Sequence, residues 1–191
     1  IIPENVARYC CGMPFESEGV FEVADKLAKE LEGVLLKASN NGELPILCDM
    51  SPCTYRMQHT MDERLKIYDT VEFLHDFIID KLPIHKIDRT IMLHMTCSAV
   101  KMGLQKKFLD IADRCVTKVV VPDKVKCCGF SGDKGFSIPE LNKSALTHLN
   151  EAIPEDCEHG YSNSRTCEIG LSAKAGFPYQ SIAYLVDECS K

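Results

Sequence analysis

Helical periodicity and short apolar runs alternate along this chain. Apolar residues three or four positions apart predict an amphipathic helix over 20–38, which ends at Asn40-Asn41-Gly42. Further helices are predicted to start at Ser51-Pro52, to carry Ile67 through Leu82, to run from Thr96 to Ile111, and to cover 138–150, 164–176 and 180–189. Buried strands are predicted at 44–49, 89–95 and 118–122, with a shorter one before Ser164. This alternation indicates βαβ units, so the predicted fold class is α/β with largely parallel sheets.

Three isolated cysteines lie where a predicted strand gives way to a helix. Cys53 follows Ser51-Pro52, a helix-start signal with Ser51 as the expected N-cap. Cys97 and Cys167 lie at the starts of later predicted helices. The helix over 138–150 has its own start signal, because Ser137 and Glu140 form the pattern of a capping box. In open α/β sheets, binding sites are built at this edge, so we expect these cysteines to mark a site.

One passage occurs twice in the chain. The first copy, IIPENV at 1–6, leads to Cys10-Cys11-Gly12, and the second, VVPDKV at 120–125, leads to Cys127-Cys128-Gly129. Each copy continues into a helical pattern and reaches an isolated cysteine. The repetition predicts two pseudo-symmetric β–α repeats, over 1–85 and 86–191. The first copy begins in mid-motif, so we expect the first repeat to be N-terminally truncated and the chain to be a fragment of a longer polypeptide.

Composition and charge indicate the class of protein and its cellular compartment. The 191 residues are 45% hydrophobic and 26% charged, which is ordinary for a globular protein. A net charge of −6 without a Lys/Arg-rich block argues against nucleic-acid binding, and no apolar stretch is long enough for a membrane span. The chain has 11 cysteines, an odd number, and it shows no secretory signal. Both features favour reduced thiols over disulfides, so we expect a cytoplasmic location. Any association with a membrane is expected to occur only through partner proteins.

The second half carries a set of four candidate ligands. Cys97 and Cys127 are separated by 29 residues, Cys128 follows directly, and Cys167 comes after 38 more. Four thiolates from three separate strand–helix junctions can surround one compact object, and a [4Fe–4S] cluster takes four cysteines. Zinc is an alternative, although structural zinc sites typically use closely spaced pairs. A metal-free thiol–disulfide module is the other alternative.

The first half offers an incomplete counterpart of that set. Cys10, Cys11 and Cys53 form a three-thiolate group, for which Cys48 or an external residue is a possible fourth ligand. We therefore expect one stable cluster per chain, with about four irons, rather than two. The remaining cysteines Cys48, Cys115, Cys157 and Cys189 are expected mainly to pack, and His94 is expected to be a satisfied strand-end histidine, with a place beside the cluster as the alternative.

The cysteine motifs resemble those of a known family. The run from Cys97 through Cys127-Cys128-Gly129 to Cys167 resembles the cysteine-rich CCG domain, which occurs in tandem. That domain is found in heterodisulfide reductase B subunits, in iron–sulfur subunits of glycerol-3-phosphate and glycolate oxidation, and in large FAD-linked dehydrogenases. The segments CCGMPFES at 10–17, CCGFSGDKGF at 127–136 and SRTCEIGL at 164–171 look most like the last group, the FAD-linked D-lactate or D-2-hydroxyacid dehydrogenases.

The resemblance implies an electron-relay function beside other parts of the same polypeptide. Those parts would be a flavin domain, which would hold FAD and select the substrate, and a ferredoxin-like domain. The implied acceptor is a quinone or a cytochrome. One departure matters: the family closes each repeat with C-x-x-C, whereas Met50 and Ser164 stand here in place of the first cysteine. This favours a conventional four-cysteine cluster over the five-cysteine noncubane type.

Overall fold

Six parallel strands form two sheets. The computed structural model describes residues 2–191; Ile1, the first residue of the repeated passage, lies outside them. The strands are β1 (Ile46–Cys48), β2 (Ile67–Asp69), β3 (Ile87–Leu93), β4 (Val116–Val120), β5 (Gly160–Ser162) and β6 (Tyr179–Ser181). One sheet has the order β1-β2 and the other β4-β3-β5-β6, with every pairing parallel. The predicted α/β class with parallel sheets is confirmed.

Helices connect these strands. They are α1 (Met13–Ser17), α2 (Phe21–Ala38), α3 (Ser51–Thr60), α4 (Thr70–Phe73), α5 (Cys97–Lys101), α6 (Gln105–Cys115), α7 (Lys134–Ser137), α8 (Pro139–Ala145), α9 (Arg165–Ala175) and α10 (Ile182–Cys189). Short 3-10 turns cover Val6–Arg8, Ile79–Lys81 and Asn150–Ala152, and a π-helical turn covers Leu74–Ile78. Within residues 2–191, no helix combines the length and the apolarity that crossing a bilayer requires.

The core of the second half lies between its sheet and two helices. Ile91 and Leu93 of β3 pack with Phe108 and Ile111 of α6 and with Leu185 of α10, and none of these five side chains has measurable exposure. Replacing a buried phenylalanine by alanine typically costs about 3–5 kcal/mol. Phe108 is therefore a major contributor to the stability of the second-half core.

A smaller core supports the first half. The α2 face that carries Leu31 and Leu35 packs on Met57 of α3 and on Ile67 of β2. This is the amphipathic helix predicted over 20–38, and it spans Phe21–Ala38. The helix contributes its apolar face to the core, and its charged residues are exposed except for Glu32, which is buried and accepts a hydrogen bond from Asp62 N at 2.7 Å.

The predicted helix over Ile67 to Leu82 is wrong at its start. Ile67–Asp69 form strand β2, which pairs in parallel with β1. The helix begins only after Asp69, whose carboxylate accepts a hydrogen bond from Val71 N at 2.8 Å. Apolar spacing could not separate a three-residue strand from the helix that follows it, because Ile67 and Val71 fit both patterns.

Three other boundaries differ from the prediction. The long helix after Cys97 is broken into α5 and α6 around Gly103, whose φ of 73° is left-handed and ends the first segment. The capping box is wrong, since Ser137 ends α7 and Ile138 stands at the N-cap of α8 without a side-chain bond. Ser51 is the first helical residue rather than the N-cap, which leaves its hydroxyl free for contacts described below.

Candidate functional site

The four cysteines of the second half meet around one cavity of about 270 Å³. Cys97 is the first residue of α5, where the Thr96 hydroxyl caps the helix by accepting from Ala99 N at 3.1 Å. Cys167 lies in the first turn of α9. Cys127 and Cys128 come from the loop after β4. Three separate segments thus bring their sulfur atoms to one place.

The sulfur atoms are in mutual contact. Cys128 Sγ donates to Cys167 Sγ across 2.8 Å, and Cys127 Sγ accepts from Gly129 N at 3.3 Å. Cys97 hydrogen-bonds to Cys127. Cys128 and Cys167 are buried, whereas Cys97 and Cys127 are exposed. The set therefore has a sheltered side and a side that reaches the surface.

Hydrogen bonds within the set lower the pKa of two cysteines and raise the pKa of the other two. The Cys128 and Cys97 thiols lower the pKa of Cys127, and the Cys128 thiol lowers the pKa of Cys167 to about 6. As donors, Cys97 and Cys128 have raised pKa values, mainly through hydrogen bonds with Cys127 and then through burial or the bond with Cys167. Negative charge therefore gathers on the cysteine set, which suits it for a cationic metal centre.

His94 borders the same cysteines. It follows β3 and is 1% exposed, and its Nε2 atom is buried with no hydrogen-bond partner among the described residues. After the Cys128 hydrogen bond, the His94 imidazole contributes to the lowered pKa of Cys167, and it also contributes to that of Cys127. The imidazole hydrogen-bonds to Cys167 while its Nε2 atom has no partner, so the expected strand-end histidine is satisfied only in part and lies beside the cysteine set.

The first half supplies one wall of the cavity. Among the lining residues from that half are Met13, Glu16, Ser17, Pro52 and Tyr55. Opposite them, Lys101 of α5 places its ammonium 5.2 Å from the centre of the Tyr55 ring, a cation–π contact between the halves. Both halves therefore shape the space beside the second-half thiols.

The first-half cysteines form a second, smaller group. A hydrogen bond from Cys53 lowers the pKa of Cys11 to about 7, against the effect of burial, and the Arg56 guanidinium adds to the lowering. Cys53 has a raised pKa as the donor, and both Cys48 and Cys10 act on it electrostatically. The structure thus brings Cys10, Cys11 and Cys53 together and places Cys48 beside them, where simple packing was the first expectation.

Both Cys-Cys-Gly turns share the same geometry. Gly12 N donates to Cys10 Sγ at 3.3 Å, as Gly129 N does to Cys127 Sγ at 3.3 Å. The two glycines have left-handed φ angles of 86° and 77°. A Cβ atom at Gly129 would lie 2.5 Å from Leu141 O, and one at Gly12 would lie 2.2 Å from Ala24 O. Each turn therefore needs glycine, both for its φ angle and for its close approach to the following helix.

A buried polar network links the two halves, and the sequence reasoning missed it. Asp69 at the end of β2 accepts from Asn163 Nδ2 at 3.0 and 3.2 Å, and Asn163 Oδ1 accepts from Thr96 Oγ1 at 3.0 Å. The Ser51 hydroxyl also bonds to Asp69 and accepts from Ser98 Oγ at 2.8 Å. Apart from Asp69, these residues lie at or next to the helix starts that carry Cys53, Cys97 and Cys167. The network therefore holds three cysteine-bearing segments together.

Only a weak signal could have found this network. Small polar residues flank each isolated cysteine, and they can be interpreted as helix caps. Thr96 is such a cap, but Ser51 and Ser98 turn toward the other half. Asp69 was hidden by the incorrect helix over Ile67 to Leu82.

Other cysteines lie away from both groups. Cys115 and Cys189 are buried in the core, where Cys189 Sγ donates to Cys115 O at 3.4 Å. Cys157 is buried in the cluster of apolar residues that also contains Met92 and Tyr179. The sequence expected packing for all three residues, and that is where they lie.

Comparison with protein-family models and with curated proteins finds no match to this chain. In the described part of the chain, residues 2–191, no group of three or more His, Cys, Asp or Glu side chains is arranged around a single metal-ion position. The second-half cysteines instead line a cavity of about 270 Å³.

Proposed function

We propose that this chain is an electron-transfer protein in which Cys97, Cys127, Cys128 and Cys167 hold a [4Fe–4S] cluster. One observation carries the proposal: the thiols of these four cysteines, which come from three separate segments, converge on one compact cavity. Cysteine thiolates are the usual ligands of such clusters. Two of the four already have lowered pKa values, so the set is partly prepared to bind metal.

The surrounding residues fit such a group. Gly129 N points at Cys127 Sγ, and backbone N–H donors of this kind tune bound sulfur. The unpartnered Nε2 of His94 supplies a buried polar atom that nothing in the described protein satisfies. Phe130 and Met13 give the cavity apolar wall, which excludes water. The exposed side of the set, at Cys97 and Cys127, offers a short route to a partner.

The chemistry comes from the bound group. When bound, a [4Fe–4S] cluster takes up and passes on single electrons. We propose that these electrons come from a flavin domain of the same polypeptide that oxidises D-lactate or a related 2-hydroxy acid, with a ferredoxin-like domain as a further partner. A quinone or a cytochrome would be the acceptor. These partners rest on the motif resemblance alone.

The first-half group is proposed as a weaker site. Cys10, Cys11 and Cys53 lie together with Cys48 beside them, but Cys48 has a pKa raised by burial, which opposes the thiolate form needed for ligation. We therefore propose one stable cluster per chain, in the second half.

Anaerobic reconstitution tests the proposal. The chain is loaded with iron and sulfide, and we expect about four irons per chain and a brown absorbance. Cys97→Ser should lose that absorbance, while Cys115→Ala, which removes a buried cysteine distant from the cavity, should keep it. A Cys97→Ser protein with unchanged iron content and spectrum would contradict the ligand assignment. A colourless protein that binds zinc would favour the structural zinc alternative.

A thiol–disulfide module remains the second candidate, and one contact favours it. The 2.8 Å approach of Cys128 to Cys167, with the pKa of Cys167 at about 6, gives a thiolate beside a thiol. Forming a disulfide there would release two electrons and one proton from that pair to an added disulfide oxidant. Treatment of the metal-free chain with glutathione disulfide, followed by peptide mapping, distinguishes the candidates: a rapid Cys128–Cys167 bond together with failed iron loading would support the disulfide function.

A further inference from the structure

His94 is fixed in place by its backbone. Its N–H donates to Tyr161 O at 2.9 Å, and its carbonyl accepts from Ser162 Oγ at 3.0 Å. Both partners belong to β5, the central neighbour of β3. The residue therefore lies at the end of two paired strands, and its backbone is held on both sides by hydrogen bonds to β5.

One nitrogen of the His94 imidazole lacks a hydrogen-bond partner. Its Nε2 atom is buried without a hydrogen-bond partner in residues 2–191. Leaving a buried polar atom unpaired costs about 1–3 kcal/mol, so such atoms are few in native proteins and each calls for an explanation. Burial alone does not supply one, because an apolar side chain could fill the same position without this cost.

The surroundings of the ring indicate what kind of atom it meets. The imidazole hydrogen-bonds to Cys167 and acts electrostatically on Cys127, and these two cysteines come from different segments and face the same cavity. The ring therefore lies against two of the proposed ligand sulfurs, on the side of the set away from the cavity lining. Hydrogen bonds to cluster sulfurs are one of the means by which proteins raise the reduction potential of iron–sulfur centres.

We propose that His94 donates an N–H hydrogen bond to a sulfur atom of the cluster centre and thereby raises its reduction potential. The inference rests on the proposed cluster function. His94 acts as a positioning and tuning residue: it keeps its proton, forms no bond to iron, and exchanges no electron. The donated hydrogen bond favours the reduced state, because reduction adds negative charge next to the donor.

Three proteins test this role. The reconstituted wild type is compared with His94→Leu, which removes the donor at similar size, and with His94→Gln, whose amide can still donate. Loss of a hydrogen bond to a charged group corresponds to about a tenfold change in the equilibrium constant for reduction, which is about 59 mV for a one-electron couple. We expect this downward shift in His94→Leu and a smaller one in His94→Gln.

Pulsed EPR gives a readout that a purely structural role would not move. The protein is labelled with ¹⁵N-histidine and its cluster is reduced with dithionite. We expect a weak ¹⁵N hyperfine coupling in the wild type, absent in His94→Gln, which assigns the coupling to this residue. His148→Gln, a change at an exposed histidine paired with Glu151, is the matched control and should leave the coupling and the potential unchanged.

The outcomes separate this inference from the proposed function. If the wild type binds no cluster, the proposed function fails before His94 is tested. If clusters form and His94→Leu keeps the wild-type potential, the tuning role is wrong. A strong coupling, with loss of iron in both variants, would make His94 a ligand and would also overturn it. If His94→Leu does not fold, the ¹⁵N coupling of the wild type and the reduction potential of His94→Gln still decide whether His94 tunes the cluster.

Discussion

Asn163→Ala is the sharpest test of the network that joins the two halves. Asn163 is 1% exposed, and its side chain donates to the Asp69 carboxylate while accepting from the Thr96 hydroxyl. Its backbone carbonyl also accepts from Ser51 N at 3.1 Å, a bond that the substitution keeps. The change therefore removes side-chain bonds without removing the backbone link between the halves.

The magnitude follows from what the substitution leaves behind. A hydrogen bond to a charged group is worth about 1.5–3 kcal/mol, and a neutral one about 1 kcal/mol. The two contacts of Asn163 Nδ2 with Asp69, at 3.0 and 3.2 Å, come from one nitrogen and count as a single charged bond. Thr96 can turn toward Ser51 or Ser98, which recovers part of the neutral bond. We expect a loss of about 3 kcal/mol, a large part of the 5–15 kcal/mol typical of whole domains.

Equilibrium unfolding in urea under reducing conditions, without metal, measures this loss. Asn150→Ala, at an exposed asparagine in a 3-10 turn, is the control and should change the free energy of unfolding by less than about 0.5 kcal/mol. An Asn163→Ala protein within that same range would refute the reasoning. Such a result would mean that Asp69 is satisfied without Asn163 and that the two halves are held together by other contacts.

Two further predictions follow from Asp69 and from the second Cys-Cys-Gly turn. Burial raises the pKa of Asp69, so its contribution to stability is fully present below about pH 4, the unfolded value, and is lost as the pH rises through the folded pKa. Wild type should therefore lose stability relative to Asp69→Asn over that interval in urea unfolding, and parallel curves would contradict it. Gly129→Ala should destabilise by more than the 1–2 kcal/mol of left-handed strain alone, because its Cβ would meet Leu141 O. Gly176→Ala, with a φ of 82° and open space around it, is the matched control for thermal unfolding, and equal losses would refute the steric argument.

Much of the fold could be predicted because the apolar pattern is strong where the elements are long. Helix α2 buries one face over 18 residues, and its period is clear. Strand β2 has only three residues, and its last residue, Asp69, is also the N-cap of helix α4. No stretch of the sequence therefore separates the strand from the helix. Strand β6 was missed for the same reason: it has three residues and leads directly into α10.

The candidate site, too, could be predicted only in part from the sequence. The cysteine spacing identified which thiols to consider, and the structure brings Cys97, Cys127, Cys128 and Cys167 to one cavity. The distribution of protons among them depends on which sulfur donates to which, and spacing carries no such information. The same holds for Asp69 and Asn163, which are 94 positions apart in the chain and meet only in the folded protein.

The shared cavity wall has a consequence for how the chain can be divided. Residues 86–191 contain all four second-half cysteines, but Met13, Pro52 and Tyr55 close the cavity from the other half. A half without that wall would keep these four cysteines but lose part of the cover over Cys128 and Cys167, the two that are buried. The shelter of these two thiols therefore depends on both halves of the chain.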